Sequence, residues 1–312
     1  MKQFLRKTTL ILIVSCVIVL FIDIASLFCV DKESYYSHER NFSLAYNRLK
    51  ALKDSTKIVI IAGSNGGFSI NSRMINATFH LPVVNTSTHA GIGTRMQFET
   101  YKDFLHKGDV VVFCPEYPIK DKRLYGDSYL IRTIGTHLPS AYQKISLSQW
   151  LYIYKYIGIN IKRSFKHRFY KGFDGPGPYS ANAVNEYGDI EWERVHKDVI
   201  NFYVLNGQMD DKLIEYYKYI HAFTKENGIK LLFLPPTLMD SNFRNCKGQI
   251  DSLACCLENN GIPWQSHPSI YSFADSLYFD TPYHMTQEGA NKRTEILIED
   301  LRKIINCDSM GQ

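Results

Sequence analysis

The stretch Lys57-Ile-Val-Ile-Ile-Ala-Gly-Ser-Asn-Gly-Gly67 decides the fold of this chain. Residues 58–62 are a continuous run of apolar, mostly β-branched residues, which predicts a parallel strand covered on both faces. The second half of the stretch consists of residue types that favour turns. In an open parallel sheet, ligands bind beyond the carboxyl ends of the strands, so Ser64, which follows this strand, is a candidate functional residue.

Further strands and helices alternate along the chain. Apolar runs predict strands over 82–86, 110–114, 230–234 and 261–264, and helical spacing predicts helices over 93–107, 211–227 and 287–305. This alternation predicts an α/β fold, a three-layer α/β/α sandwich with a parallel sheet and helices on both faces. The alternation lapses after the third strand, and we interpret about 118–208 as a helical insertion over the substrate side.

The N-terminal segment is apolar over residues 8–30, with Asp23 near its outer end. A helix of that length is sufficient to cross a hydrocarbon core of roughly 30 Å. Lys2, Arg6 and Lys7 precede it, which predicts a single-pass cell-membrane protein with a cytoplasmic N-terminus and an extracytoplasmic main domain. A cleaved signal peptide is the alternative, although its apolar region should be shorter. The expected organisation is an anchor over 1–30, a polar, partly helical stem over 31–55 and one domain over 56–306.

Composition and charge exclude several classes of protein. Hydrophobic residues make up 45% of the 312 residues and aromatic residues 13%, which is sufficient for a packed core and argues against disorder. The formal net charge is +5 and is dispersed, so nucleic acid is not an expected partner. The seven cysteines lack the spacing of a zinc site, although one disulfide among Cys246, Cys255 and Cys256 is compatible with an oxidising compartment.

Ser64 lies where a nucleophile would find hydrogen-bond donors. The first backbone N–H groups of the helix expected to follow have no partner within that helix, and the helix dipole favours negative charge there. A serine at this point could attack a carbonyl and have the resulting oxyanion stabilised. An ordinary strand-to-helix turn uses the same residue types. A phosphate-binding loop is a further alternative, but the Gly-x-x-x-x-Gly-Lys pattern is absent.

A second segment, Tyr278-Phe-Asp-Thr-Pro-Tyr-His-Met-Thr-Gln-Glu-Gly289, places a carboxylate and an imidazole on one loop before the last predicted helix. A neutral His284 could take the proton of a serine at one ring nitrogen while Asp280 holds the other nitrogen. A surface loop with an incidental Asp and His is the plainer interpretation. The position of the loop after the last strand favours contact with the end of the first strand.

Together with Asn85-Thr-Ser-Thr-His-Ala-Gly-Ile-Gly93 after the second strand, these segments resemble those of the SGNH/GDSL hydrolase superfamily. The resemblance covers about residues 57–305. More narrowly, the chain resembles membrane-anchored members of the superfamily that are associated with acyl transfer onto bacterial envelope polysaccharides. It implies a flavodoxin-like fold with Ser64 as nucleophile, His284 as base and Asp280 as the acid that orients the base. It also implies an oxyanion hole made by the Ser64 N–H and the N–H of Gly91 or Gly93.

Two features depart from the pattern of that superfamily. Three residues rather than two separate Asp280 from His284, so a Ser–His dyad with a backbone carbonyl holding the imidazole is an alternative. The third block usually carries an Asn of the oxyanion hole, but here the strand runs into Cys114-Pro-Glu-Tyr117. Glu116 therefore stands near that position and could bind a substrate hydroxyl, and Asn65 is a candidate replacement donor.

Three further residues are candidates for contact with substrate. Arg95, on the helix after Gly93, could hold an anionic sugar, and Arg293 is also within reach of the site by its position in the sequence. His89 lies beside Gly91. A solvated helix residue and an ordinary loop residue are the plainer interpretations of Arg95 and His89.

The residues and the resemblance lead to one expected function and two alternatives. We expect a serine esterase or O-acyltransferase acting on ester-linked acyl groups, most simply acetyl, of a cell-envelope polysaccharide. It would need no cofactor or metal, and its partners would be the acylated polysaccharide, the membrane and, for transfer, a polytopic membrane protein that supplies the acyl group. The alternatives are a non-catalytic polysaccharide-binding or assembly protein on the same fold, and a flavodoxin-like phosphate- or nucleotide-binding protein.

Overall fold

The computed structural model describes residues 1–28, 30–117, 122–167, 175–197, 199, 205 and 209–305. Within them the chain is a mixed α/β protein with a four-stranded parallel sheet and one long apolar helix at its N-terminal end. The predicted fold class is confirmed at this level.

The elements of the described residues are numbered in chain order. The α-helices are α1 (Lys2–Leu27), α2 (Lys32–Tyr35), α3 (Asn41–Ala51), α4 (Ser64–Ser69), α5 (Ser72–Phe79), α6 (Thr94–Tyr101), α7 (Lys122–Tyr125), α8 (Ser128–His137), α9 (Leu147–Ile153), α10 (Ile157–His167), α11 (Asp211–Glu226), α12 (Asp240–Asn245), α13 (Lys247–Asn259) and α14 (Gln287–Ile305). The strands are β1 (Ile58–Ala62), β2 (Val83–Asn85), β3 (Val110–Cys114), β4 (Lys230–Phe233), β5 (Leu238–Met239) and β6 (Ser272–Phe273).

The main sheet has the strand order β2-β1-β3-β4, and each pair of adjacent strands is parallel. The ends of its four strands all lie within one residue of the predicted ends. The predicted strand over 261–264 is wrong, because a side chain occupies the edge of β4 instead. The Gln265 side chain accepts a hydrogen bond from the Phe233 N–H at 2.6 Å and donates one to the Leu231 carbonyl at 3.0 Å.

Helices cover both faces of the sheet, because successive side chains of each strand point to opposite sides. Val59 and Phe113 pack in one apolar cluster with residues of α3, α6 and α11. Ile60 and Val112 pack in a second cluster with residues of α5 and α14. Both faces are therefore dry, as the continuous apolar runs of β1 and β3 predict.

The segment predicted as a polar stem belongs to the packed domain. Phe42, Ala45 and Leu49 of α3 have no exposed surface and lie in the first apolar cluster. The Asn41 amide, at the start of this helix, donates hydrogen bonds to the backbone carbonyls of Asn85 and Ser87. Residues 41–51 therefore help to hold the loop after β2, and the apolar spacing of α3 is explained by burial rather than by a free-standing stem.

The stretch interpreted as an insertion is mostly helical where the structure describes it, from α7 to α10. Within this stretch the sequence predicts an aromatic helix over 150–159, and these residues lie in α9, α10 and a 3-10 turn between them. The sequence also predicts a Gly-Pro loop over 172–178, which lies partly outside the described residues. The possible disulfide among Cys246, Cys255 and Cys256 is not formed.

Candidate active site

Ser64 is the first residue of α4, directly beyond the carboxyl end of β1. Gly63 precedes the helix and has no side chain that could cap it, so no side chain occupies the N–H groups at the start of α4. A methyl group at Gly63 would lie 2.8 Å from Glu116 Oε1 and 3.0 Å from Ala90 Cβ. Glycine therefore lets the Glu116 and Ala90 side chains approach this backbone closely.

His284 faces Ser64 across the cavity, as predicted. Its Nε2 lies 2.9 Å from Ser64 Oγ, and its Nδ1 lies 2.9 Å from Asp280 Oδ1. The Phe68 ring of α4 stacks on the imidazole, with ring centroids 4.1 Å apart and planes 11° from parallel. Because the Ser69 hydroxyl also donates to the Tyr283 carbonyl at 2.8 Å, α4 and the histidine loop are held together at two points.

The extra residue between Asp280 and His284 does not separate them. The His284 N–H approaches both the carbonyl and the hydroxyl of Thr281, so the loop turns back on itself and brings the two side chains into contact. The alternative of a backbone carbonyl holding Nδ1 is not seen here, since Asp280 and Tyr179 occupy that side of the ring. Burial alone raises the pKa of Asp280, but hydrogen bonds from His284 and Tyr179 outweigh it, and the pKa lies below its ordinary value.

Tyr179 is a site residue that the sequence analysis missed. Its hydroxyl donates to Asp280 Oδ2 at 2.6 Å and lies 3.0 Å from His284 Nδ1. Burial, and then the bond to Asp280, raise the pKa of Tyr179 well above its ordinary value, so the hydroxyl keeps its proton. The backbone of Tyr179 is held by the His38 N–H, which donates to its carbonyl at 3.0 Å. No signal in the sequence predicts this pairing of two distant loops.

Glu116 contacts Ser64 because of the register of the sheet. Ala62 of β1 pairs with Cys114 of β3, and Ser64 and Glu116 each follow two residues later. Ser64 Oγ lies 2.9 Å from Glu116 Oε1, and the Glu116 side chain is buried. The residue that replaces the expected Asn therefore touches the candidate nucleophile itself.

The Ser64 hydroxyl has one proton and two partners at 2.9 Å, so the proton arrangement has two forms. If Ser64 donates to Glu116, His284 must donate from Nε2 and is then protonated at both nitrogens, since Nδ1 faces Asp280. If Ser64 donates to His284, Glu116 must carry a proton to complete its own hydrogen bond. Only in the second form can His284 accept the serine proton.

Three of the predicted oxyanion donors have other partners. The Gly91 N–H donates to His89 Nδ1 at 2.9 Å, and the Gly93 N–H donates to the Ala90 carbonyl at 3.1 Å. The Asn65 amide is fully buried and donates to the Cys114 carbonyl at 3.1 Å, because β3 ends beside it. Gly91, Gly93 and the Asn65 side chain are therefore wrong as donors, and the Ser64 N–H is the predicted donor that remains at the site.

A cavity of about 570 Å³ opens over Ser64 and His284. The segment before α3 and helix α8 form the wall opposite the histidine loop. The wall carries a buried ion pair between Arg132 and Glu39, and Arg132 also lies over the Tyr129 ring at 4.3 Å. Apart from Ser64, His284 and Glu116, residues lining the cavity include His38, Glu39, His89, Tyr129, Arg132 and Tyr179.

His38 is an unusual member of this wall. It is 7% exposed, and neither ring nitrogen has a hydrogen-bond partner among the residues that the structure describes. Its ring lies edge-on to those of Phe68 and Tyr179, with centroid distances of 5.9 and 5.6 Å. Burial lowers the pKa of His38 to about 4, so the ring is neutral at pH 7.

Of the three further residues predicted to contact substrate, one lines the cavity and two lie elsewhere. His89 lines the cavity and stacks on Tyr129 at 3.6 Å. Arg95 is wrong as a site residue, because it lines a separate surface cavity and lies over the Tyr216 ring at 5.2 Å. Arg293 is 1% exposed and donates to the Asn65 carbonyl at 2.8 Å, so it braces α4 from beneath instead of meeting substrate.

Comparison of this chain with protein-family models, with curated proteins and with solved structures finds no match.

Proposed function

We propose that this protein is a serine acyl-esterase or O-acyltransferase of the SGNH type, acting on ester-linked acyl groups of a cell-envelope polysaccharide. The observation that carries the proposal is the hydrogen-bonded chain from Ser64 Oγ through His284 to Asp280, with 2.9 Å at each contact. These distances lie within the range needed for proton transfer between a nucleophile and its base.

The reaction would proceed in two steps. Ser64 Oγ attacks the acyl carbonyl carbon while His284 Nε2 takes the hydroxyl proton, and Asp280 stabilises the imidazolium that forms. The tetrahedral intermediate then expels the sugar oxygen, which receives that proton, and an acyl ester remains on Ser64. A water molecule or a second hydroxyl, deprotonated by His284, attacks this ester. His284 then returns that proton to Ser64 Oγ, and the acyl group leaves as the free acid or as the new ester. Water gives an esterase, and a sugar hydroxyl gives a transferase.

The shape and lining of the cavity support a carbohydrate as the group that carries the ester. Its volume of about 570 Å³ accommodates a few sugar rings, and the rings of Tyr129 and Tyr179 offer apolar faces beside polar groups. Among the described residues that line the cavity, the one arginine, Arg132, is already paired with Glu39. A neutral acylated sugar therefore fits this wall better than a polyanionic one.

The proposed location is the cell membrane. Helix α1 is long and apolar enough to cross a bilayer, and basic residues at its N-terminal end favour a cytoplasmic N-terminus with the α/β domain outside. An extracytoplasmic transferase has no access to soluble cytoplasmic acyl donors. A polytopic membrane protein would then have to deliver the acyl group, whereas an esterase needs no such partner.

A serine-reactive fluorophosphonate probe tests the proposal on the full chain in detergent. We expect covalent labelling that is lost in Ser64→Ala and retained in Ser252→Ala, a matched change at an exposed helical serine. Release of acetate from an acetylated polysaccharide should show the same dependence. If the protein without substitutions is folded, as a cooperative melting transition would show, but is not labelled, the proposal of an enzyme is rejected.

A non-catalytic polysaccharide-binding protein is the second candidate, and two observations favour it. Ser64 is hydrogen-bonded to Glu116, and the glycine N–H groups expected to hold an oxyanion are used elsewhere. Losing one such donor costs about 10²–10³ in rate in known enzymes. Binding of a deacylated glycan by Ser64→Ala and by the unchanged protein with equal affinity, without labelling of either by the probe, would identify this function.

A further inference from the structure

One helical surface of the domain is apolar and lies outside the active site. Its exposed side chains are Leu147 (75% exposed), Leu151 (74%) and Tyr154 (57%), which occupy one helical face because they are spaced by four and three residues. The opposite face of the same stretch, with Ile153 and Ile157, is buried against the domain. We call residues 147–167, which comprise α9, a 3-10 turn and α10, the α9–α10 segment.

The surroundings of this segment in the sequence are strongly basic. Residues 128–173 contain no Asp or Glu. The basic residues of the same stretch are Arg132, Lys144, Lys155, Lys162, Arg163, Lys166, Arg168 and Lys171. Since the whole chain has a net charge of only +5, the rest of the protein is net negative. Positive charge is thus concentrated in the part of the chain that carries the exposed apolar face.

The α9–α10 segment is fastened to the outer end of α1. The Tyr154 hydroxyl donates to Asp23 Oδ2 at 3.0 Å, and the Asn160 amide donates to the Ser26 carbonyl at 2.8 Å. Asp23 is four residues, or about 6 Å, from the end of the helix at Leu27. The segment therefore sits level with the last turn of the candidate membrane span, and the carboxylate near the end of that span has a hydrogen-bond donor.

Helix α8 continues the same attachment. Its Gly135 lies so close to the end of α1 that a methyl group there would overlap the Leu27 carbonyl, and the Tyr142 hydroxyl donates to that carbonyl at 2.7 Å. The end of α1 is therefore docked against the domain and is not a free linker. Upstream of this docking, side chains such as Leu12 and Leu20 are about 60% exposed and have no covering from the domain.

We propose that the α9–α10 segment lies in the outer headgroup layer of the bilayer that α1 crosses. Leu147 and Leu151 enter the boundary with the acyl chains, and Lys155 and Lys162 meet anionic headgroups. An exposed apolar face flanked by Lys and aromatic residues, without acidic residues, is the pattern of helices that lie in the plane of a membrane surface. The lipid surface is the occupant because the face is continuous with the end of a span already in that bilayer.

This placement fixes the height and direction of the cavity above the membrane. Helix α8 contributes Tyr129 and Arg132 to the cavity wall and packs against both α1 and α10. A domain held at both α1 and the α9–α10 segment cannot rotate freely about its anchor. The inference does not depend on catalysis, and its failure would leave the proposed function unchanged.

Photo-crosslinking of the full chain in vesicles tests the placement. Leu147 and Leu151 are replaced, one at a time, by p-benzoylphenylalanine, and the protein is reconstituted in vesicles of phosphatidylcholine and phosphatidylglycerol that contain radiolabelled phospholipid. The matched control carries the same replacement at Ile270, an exposed apolar residue (46%) of a 3-10 turn before β6. Each variant is first required to melt within a few degrees of the unchanged protein, and Ile159, 45% exposed, serves as a further site if one variant does not fold.

We expect lipid adducts at 147 and 151 in several times the yield found at 270. Equal yields at all three positions, or no adduct at 147 and 151 in folded protein, would overturn the proposal. Adducts of twice the protein mass would overturn it as well, because they would identify a second copy of the chain as the occupant of this face.

Discussion

Glu116 Oε1 and His284 Nε2 lie at the same distance, 2.9 Å, from Ser64 Oγ. The two groups compete for one proton. When the serine hydroxyl turns toward Glu116, the histidine cannot act as its base. Ser64 is therefore ready to attack only in those molecules in which its hydroxyl proton points to His284 and not to Glu116.

Glu116→Gln should increase the reactivity of Ser64. The amide can donate to Ser64 Oγ, which leaves the serine proton free for His284. We expect fluorophosphonate labelling at pH 7 to become faster by about tenfold, which corresponds to one hydrogen bond of about 1.4 kcal/mol. Glu191→Gln, at an exposed carboxylate, should leave the rate unchanged. A rate as low as that of Ser64→Ala would show instead that the carboxylate itself is needed.

Tyr179→Phe should weaken the site most at acidic pH. The hydrogen bond from Tyr179 helps to lower the pKa of Asp280, so its loss raises that pKa. Asp280 then becomes protonated at a higher pH than in the unchanged protein, and the acid limb of the rate profile shifts to higher pH. At pH 7 we expect labelling about tenfold slower, in line with one charge-assisted hydrogen bond.

The control for this prediction is Tyr35→Phe, at a tyrosine that is 49% exposed. The rate of fluorophosphonate labelling, measured for each variant at several pH values between pH 4 and pH 8, is sufficient for the comparison. An acid limb at the same pH in Tyr179→Phe and in the unchanged protein would contradict the role assigned to the phenol.

His38→Phe should reduce the pH dependence of stability. The pKa of His38 is about 4 in the folded protein and 6.5 when unfolded, so between these values the unfolded chain binds a proton that the native one does not. This group therefore makes the folded protein lose stability as the pH falls from 6.5 to 4. Between pH 7 and pH 5 the contribution is about 2 kcal/mol.

Phenylalanine retains the edge-on ring contacts and removes two buried nitrogens that find no hydrogen-bond partner within the described part of the chain. We expect the free energy of unfolding of His38→Phe at pH 7 to equal or exceed that of the unchanged protein. Urea unfolding in detergent at pH 7 and pH 5 measures both quantities. If the free energy of unfolding falls by the same amount between pH 7 and pH 5 in His38→Phe and in the unchanged protein, His38 is not the group that causes this loss of stability.

Arg293→Met should lower stability more than reactivity. Arg293 is buried and donates to the Asn65 carbonyl in the first turn of α4, and methionine leaves that carbonyl without this donor. We expect a loss of about 2–3 kcal/mol in the free energy of unfolding, with labelling of the folded fraction reduced less than tenfold. Arg302→Met, at a half-exposed arginine near the end of α14, is the matched control. Equal stabilities of the two variants would contradict this assignment.

The local pattern of the chain determined much of the architecture. Continuous apolar runs predicted β1, β3 and β4, because strands buried on both faces leave that signal without any knowledge of their neighbours. The apolar N-terminal helix and the closing helix α14 were predictable from helical spacing and length. Ser64, Asp280 and His284 could be named because each lies at the end of a predicted strand or before a predicted helix.

Only the tertiary structure decided which groups surround those three residues. Glu116 reaches Ser64 because the pairing of Ala62 with Cys114 sets both at the same height, and neither segment by itself shows which residues of the other strand it will pair with. Tyr179 reaches Asp280 because its loop pairs with the segment before α3. The amides of Gly91, Gly93 and Asn65 were lost as oxyanion donors because other groups of the folded chain accept their hydrogen bonds. Such contacts between residues far apart in the sequence depend on the packing of the whole domain, which local propensity does not encode.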